Sequence, residues 1–228
     1  MLPAEIELVS APAMATTRFA IEYGPRGRRL ALKARAAELG PRDLPAHFAS
    51  AVIAYLGPVA NEVDPLLVRA FPEAAVGAGA QGWCRLWDHD GLVRMRPWPE
   101  PDPVLSRLQA LFLSSDDVAG WESEALSLYQ RVPLGALTFA ARGAVLFVNG
   151  ERHTVVPEPA VEIDPTGAGD VFAAAFMIRH NLTGAGNDPW EAAAYAAVAG
   201  ALTVEGPGIE GVPSAAALTA RWEASRRR

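Results

Sequence analysis

Cysteine is nearly absent: among 228 residues there is one, Cys84. A lone thiol forms no internal disulfide and no cysteine-based zinc site, so a disulfide-stapled secreted scaffold is excluded and a reducing cytoplasm is the expected setting. No apolar run reaches the roughly 18 residues that a bilayer demands, and no basic segment precedes an apolar one near Met1. Neither a membrane helix nor a signal peptide is expected. Positive charge is in short supply: 20 Lys and Arg against 26 Asp and Glu leave a net charge of −6, with pI ≈ 5.3. That balance argues against a nucleic-acid groove, and Arg226-Arg227-Arg228 reads as a solvated tail. No G-x-x-x-x-G-K-[ST] occurs, so no phosphate-binding lysine of that kind is available. What remains is 50% hydrophobic and 20% charged, an ordinary globular composition with enough apolar mass for one domain.

Along the chain, Ile6 to Val9 reads as a short strand. Thr17 to Tyr23 and Arg28 to Lys33 are β-rich runs around the turn cluster Gly24-Pro25-Arg26-Gly27, an early hairpin. Ala51 to Leu56 and Ala74 to Val76 fit buried parallel strands, with a helix opened by Asp64-Pro65 between them and running through Phe71. Gly77 to Gly82 matches G-x-G-x-x-G, but no helix is expected after it, so a dinucleotide fingerprint is set aside. Trp83 to Trp87 reads as irregular. Asp88-His89-Asp90-Gly91 could be a metal cluster and is more simply a turn. Pro97 to Pro103 is a surface connection, Val104 to Leu108 a short helix, Ala110 to Leu113 a strand, and Trp121 to Gln130 an amphipathic helix. Ala136 to Ala140, Ala144 to Val148 and Arg152 to Val156 are strands, the last two joined at Asn149-Gly150. A strand over Ala160 to Ile163 leads to a buried helix from Val171 to Leu182, ended by Gly184. His180, in its last turn with Arg179, suits the helix dipole and has a structural role. Asp188-Pro189-Trp190-Glu191 caps the next, alanine-rich helix. Strands alternating with helices predict a mostly parallel α/β sheet covered on both faces, with ligands gathering at the strands' carboxyl ends.

The chemistry concentrates at Asp164-Pro165-Thr166-Gly167-Ala168-Gly169-Asp170. Small residues at a helix mouth leave backbone N–H groups and the positive end of the dipole open to an anion. Asp170 at the same mouth could take the proton of an attacking hydroxyl while those amides hold charge on a transferred phosphoryl group. A bland glycine-rich turn capped by an aspartate is the other reading on spacing alone.

The run D-x-T-G-A-G-D, followed by Phe172 and Phe176, resembles the second signature of the PfkB carbohydrate kinase family, which has the ribokinase-like fold. Ala192 to Gly208 with Gly211-Val212-Pro213-Ser214 resembles that family's C-terminal helix, turn and close, and Leu137 to Ala144 its nucleotide loop. The match covers roughly the last two-thirds of the chain. It implies one domain over residues 1–228, a three-layer α/β/α architecture with a small N-terminal hairpin or lid remnant. It also implies that the family's N-terminal strand, acidic substrate residue and paired glycines are missing or replaced here, leaving a sheet edge for which a homodimer is one expectation.

The resemblance implies an ATP-dependent kinase acting on a hydroxyl of a small sugar, polyol (inositol included) or nucleoside. Asp170 is the expected base, with Gly167, Ala168 and Gly169 as the anion hole. Ser114, Thr138, Ala140, Arg142, Gly143, Ala197 and Gly206 are the expected nucleotide contacts, and Gln81 and Gly82 the substrate contacts. Asp117 is a candidate Mg2+ ligand, the alternative for Ser114 to Asp117 being a helix cap. Asp164 and Thr166 are candidates for a monovalent cation such as K+. Four positions depart from the pattern: Pro165 for Thr, Ser114 for Asn, Ala197 for Asn, and Ala140 for Gly, where a left-handed backbone would be strained. A nucleotide-binding or interaction module without turnover is the second reading.

Overall fold

The computed structural model describes residues 6–24, 27–182 and 187–227. Strands β1 (Arg18–Gly24) and β2 (Gly27–Ala34) form the expected antiparallel hairpin. The main sheet begins with β3 (Ile53–Leu56) and β4 (Ala75–Gly79). Next, β5 (Arg85–Trp87) and β6 (Val93–Met95) make a second small hairpin. The main sheet then takes up β7 (Ala110–Ser114), β8 (Leu134–Thr138), β9 (Ala144–Val148) and β10 (Glu151–Val155). Its order is β10-β9-β8-β7-β4-β3, parallel from β3 to β8 and antiparallel where β9 and β10 join.

The helices are α1 (Asp102–Leu105), α2 (Glu122–Leu128), α3 (Ala168–Leu182), α4 (Pro189–Val204) and α5 (Ala215–Ser225). Period-two alternation on the strands splits the core. Ala110 and Phe112 pack with Phe172, Phe176 and Ala196 under α3, α4 and α5. Leu111 and Leu113 pack on the other face with Val104, Leu105, Ala125 and Tyr129. This is the three-layer α/β arrangement. No helix among the described residues is long and apolar enough to cross a membrane.

Several expectations need correcting. Ile6 to Val9 is irregular and exposed. Ala160 to Ile163 is not a strand: no neighbour offers it a ladder, Val161 and Ile163 are exposed, and the Ile163 N–H instead donates to the Val204 carbonyl at 2.7 Å. The segment after Asp64 is a 3-10 helix over Pro65–Ala70, capped by the Asp64 side chain accepting from the Leu66 N–H. The stretch from Trp83 is more ordered than expected, passing from a 3-10 turn, Ala80–Cys84, into β5. Helix α3 starts three residues before Val171, which puts Asp170 in its first turn. Its outer side is not apolar-buried all round, for Ile178 and Leu182 are exposed. Gly184 lies outside the described residues.

The β1–β2 hairpin is seated on the β5–β6 turn. The Leu32 N–H donates to the Gly91 carbonyl at 2.8 Å, and Gly91 has φ +81, where a side chain would strike the Leu32 carbonyl oxygen. Arg85 lies over the Phe19 ring, 5.3 Å from its centroid.

Candidate active site

The Asp164–Asp170 loop is held from behind by its first residue. One Asp164 oxygen accepts from the Thr166 N–H and the other from the Gly208 N–H, each at 2.9 Å. Hydrogen bonds from the Thr166 side chain and from these amides hold the Asp164 carboxyl below the usual carboxylate range. The N–H groups of Ile163 and Asp164 both donate to the Val204 carbonyl, so the loop is fastened to the end of α4. Both Asp164 oxygens accept protein donors, a set that closes the loop. Thr166 is exposed beside it.

The chain turns into α3 at Gly167, whose φ of +82 favours glycine. The Ala168 N–H donates weakly to the Pro165 carbonyl at 3.3 Å, and Val171 makes the first helical bond, to the Gly167 carbonyl at 2.9 Å. No described protein group accepts from the N–H groups of Gly167, Gly169 or Asp170. These are the open donors of a 15-residue helix. A Cβ built on Gly169 would meet nothing within 4 Å. Its backbone φ is also not in the positive range, so no protein neighbour demands glycine there.

Asp170 reaches solvent at this mouth. Protein mass around it pushes its carboxyl up from the ordinary value, helped by the Asp117 charge and opposed by a Tyr55 hydrogen bond and by Arg85. The Tyr55 hydroxyl donates to Asp170 Oδ1 at 3.3 Å. Burial and the Asp170 charge raise the Tyr55 phenol, so it stays protonated.

Beside this pair, at the carboxyl ends of β4 and β7, stands a second carboxylate. Asp117 is buried and accepts from Gln81 Nε2 at 2.8 Å, from the Ser114 N–H at 2.8 Å and from the Ser114 hydroxyl at 2.7 Å. Both of its oxygens thus accept protein donors, as in a cap. Gln81 is held by the same bond. Gly82 is buried and a side chain there would overlap the Pro58 carbonyl, so close packing accounts for that glycine.

The expected nucleotide contacts fall in two places. Thr138 ends β8 in register with Ser114, and its carbonyl accepts from the Ser115 N–H at 2.9 Å. The following turn has Ala140 at φ +51 and Gly143 at φ +86. Ala140 therefore occupies the left-handed region expected of it, a strain of order 1 kcal/mol for a non-glycine residue. A Cβ on Gly143 would strike the Val155 carbonyl oxygen. Arg142 is exposed, with its guanidinium 5.4 Å from the Phe139 ring centroid. Ala197 is partly buried against the core beneath α4. Gly206 faces Gly211 so closely that a Cβ on it would lie 2.8 Å from the Gly211 Cα.

Three participants escaped the sequence reading. Tyr55 alternates with the core residues Ala54 and Leu56, which was a signal that its face differs from theirs. Gly79 gave no separate signal, and Arg85 lay in a stretch read as irregular.

No curated protein matches the chain. Residues 124–215 match the pfkB family carbohydrate kinase description. Among solved structures, a pyrophosphate-dependent kinase of the ribokinase family in complex with sulfate is 19% identical, with a TM-score of 0.74 over 86% of this chain and 72% of that one. A pyrophosphate-dependent myo-inositol-1 kinase is 18% identical, with a TM-score of 0.71 over 88% and 72%. Arabidopsis thaliana ribokinase in complex with ribose and ATP is 19% identical, with a TM-score of 0.64 over 91% and 69%. The helix mouth of residues 167–170 falls inside the matched segment; the chain has the ribokinase-like fold, and its residues 124–215 resemble the pfkB family of carbohydrate kinases.

Proposed function

We propose that the chain transfers the terminal phosphoryl group of ATP to a hydroxyl of a small sugar, polyol or nucleoside. The observation that carries this reading is the meeting of an exposed, pKa-raised Asp170 carboxylate with unclaimed N–H groups in one helix turn. Asp170 takes the proton of the acceptor hydroxyl as that oxygen bonds to phosphorus. The bond from phosphorus to the bridging oxygen breaks, and ADP leaves with the electron pair. Through this exchange the Gly167, Gly169 and Asp170 amides face the non-bridging oxygens, whose charge they hold without reorganising. Gly169 is glycine in this reading because a side chain would project into the space where the phosphoryl group approaches. The helix mouth supplies positive potential to the transferred group.

The acceptor class follows the similar structures, among them a ribokinase in complex with ribose and a myo-inositol-1 kinase. A second donor, inorganic pyrophosphate, is favoured by the similar structures and by Ala197, which stands where the family pattern has Asn. Three of the similar structures are pyrophosphate-dependent kinases.

The test is phosphoryl transfer from ATP and, separately, from pyrophosphate to ribose, fructose, myo-inositol and nucleosides. Asp170→Asn is expected to lower turnover at least about a hundredfold. Turnover near that of the unaltered protein would remove Asp170 from the base role, and tight donor binding with no transfer to any acceptor would favour a binding module. Because only the ionised carboxylate accepts a proton and its surroundings raise its pKa, activity is expected to fall on the acid side at a pH above the ordinary aspartate value.

A further inference from the structure

We propose that Tyr55 is the positioning residue of the site: its hydroxyl fixes Asp170 Oδ1 and turns the other carboxylate oxygen toward the acceptor hydroxyl. The inference rests on the reading of Asp170 as the base and deepens it.

The arrangement around Tyr55 is built for that hydroxyl. The ring lies on the α3 side of β3, packed edge-on against Phe112 at 6.2 Å between centroids. Phe112 is in turn held edge-on by Phe172 and Phe176 of α3, at 6.4 and 5.6 Å. The strand that carries the phenol and the helix that carries the carboxylate are therefore locked through one aromatic cluster. On the neighbouring strand, Gly79 lies beside the phenol, and a Cβ there would overlap the Tyr55 hydroxyl oxygen. Gly79 has no positive φ to explain it, so the room for this hydroxyl is its role. Oδ1 accepts from Tyr55, and no described donor contacts the second oxygen.

The charged and titratable groups facing Asp170 are Tyr55 from β3, Asp117 from the loop after β7, and Arg85 from β5. A phenol donating to the ionised carboxylate favours that form and offsets part of what burial and Asp117 do. Removing the hydroxyl thus moves Asp170 to a higher pKa and, with one oxygen released, loosens the aim of the other.

The experiment compares the unaltered protein with Tyr55→Phe and Gly79→Ala, by transfer kinetics against pH and by NMR titration of the 13C-labelled Asp170 carboxyl. Tyr55→Phe is expected to lower kcat about tenfold, with KM for the acceptor nearly unchanged and the acid limb moved to higher pH. Gly79→Ala is expected to reproduce that limb by displacing the phenol, and to add little in the Tyr55→Phe background, where the hydroxyl it strikes is gone. The carboxyl titration is expected to move the same way in both variants. A titration of Asp170 that does not move in a folded Tyr55→Phe protein overturns the proposal, as does a loss of rate that is purely additive with Gly79→Ala. If the unaltered protein transfers no phosphoryl group, the kinase reading fails. The NMR titration still decides the Tyr55–Asp170 pairing.

Discussion

At the scale of single residues, the site places a carboxylate where folding alone would not. An acid whose pKa is raised in the folded state binds protons more readily there than in the unfolded chain. As pH rises from the ordinary carboxylate value through the raised one, stability declines, and at neutral pH the ionised Asp170 is a net destabiliser. Asp170→Asn is therefore expected to raise the melting temperature at pH 7 while it lowers turnover at least about a hundredfold. The difference should shrink when the comparison is repeated below the ordinary carboxylate pKa, where the native group is already neutral. A lower melting temperature for the variant at pH 7 would mean that the carboxylate is there for structure. Asp164 has the opposite sign: its depressed pKa contributes stability that is present at neutral pH and lost as acid protonates it, releasing the Thr166 and Gly208 amides. Two acids six positions apart thus serve contrary purposes, one holding the loop and the other exposed by it.

At the scale of elements, α4 carries its own caps and its own reserve of stability. The Asp188 side chain accepts from the Trp190 and Glu191 N–H groups at 2.9 and 3.2 Å, with Pro189 in the first turn. Asp188→Ala is expected to cost about 1 kcal/mol, a fall of roughly 2–4 °C in melting temperature. Gly200 lies within the same helix, and a Cβ there would sit 3.6 Å from the Ala168 carbonyl oxygen, an ordinary contact. Gly200→Ala should consequently stabilise by up to about 1 kcal/mol through helix propensity. A destabilised Gly200→Ala would show that α3 and α4 sit closer than this spacing. These elements were legible because their signals are local. Asn149-Gly150 forms the β9–β10 turn with φ of 49° and 83°, the left-handed pair that those residue types tolerate, and Asp188-Pro189 caps where its chemistry says. Ala160 to Ile163 was misread because its composition suits a strand, whereas a strand exists only if a partner offers a ladder. The β5–β6 hairpin was missed for the converse reason: its three-residue strands carry almost no periodic signal, and the β1–β2 hairpin seated on it supplies the context. In the candidate site, Asp170 was legible from seven consecutive residues, but its contact with Tyr55 spans 115 positions and could come only from the sheet order.

At the scale of the whole molecule, the wall of the site is also the deepest part of one core, and the single thiol reports on it. Cys84 is fully buried, packed in the cluster that holds Trp83, Trp98, Leu105 and Tyr129. Trp83 stacks on Trp98 with centroids 4.9 Å apart, and the Arg96 N–H donates to the Cys84 carbonyl at 2.9 Å. Burial first, and then the Asp117 charge, push the thiol up to about 12 against the pull of Arg96. A thiol both covered and protonated does not react with an alkylating or disulfide reagent until the segment opens. If Gln81, Cys84 and Asp117 belong to one cooperative unit with the sheet, opening requires global unfolding. Labelling in native buffer should then be slower than for a free thiol by the folding equilibrium, on the order of 10³ or more. The same rate should rise with denaturant along the slope of the unfolding transition and fall when a phosphoryl donor is bound, because a ligand of the folded state makes opening rarer. Stoichiometric labelling within minutes at pH 8 would instead show that residues 80–96 open on their own. The Gln81–Asp117 wall would then be a movable part of the site, with the base and its helix mouth left standing on the rigid remainder.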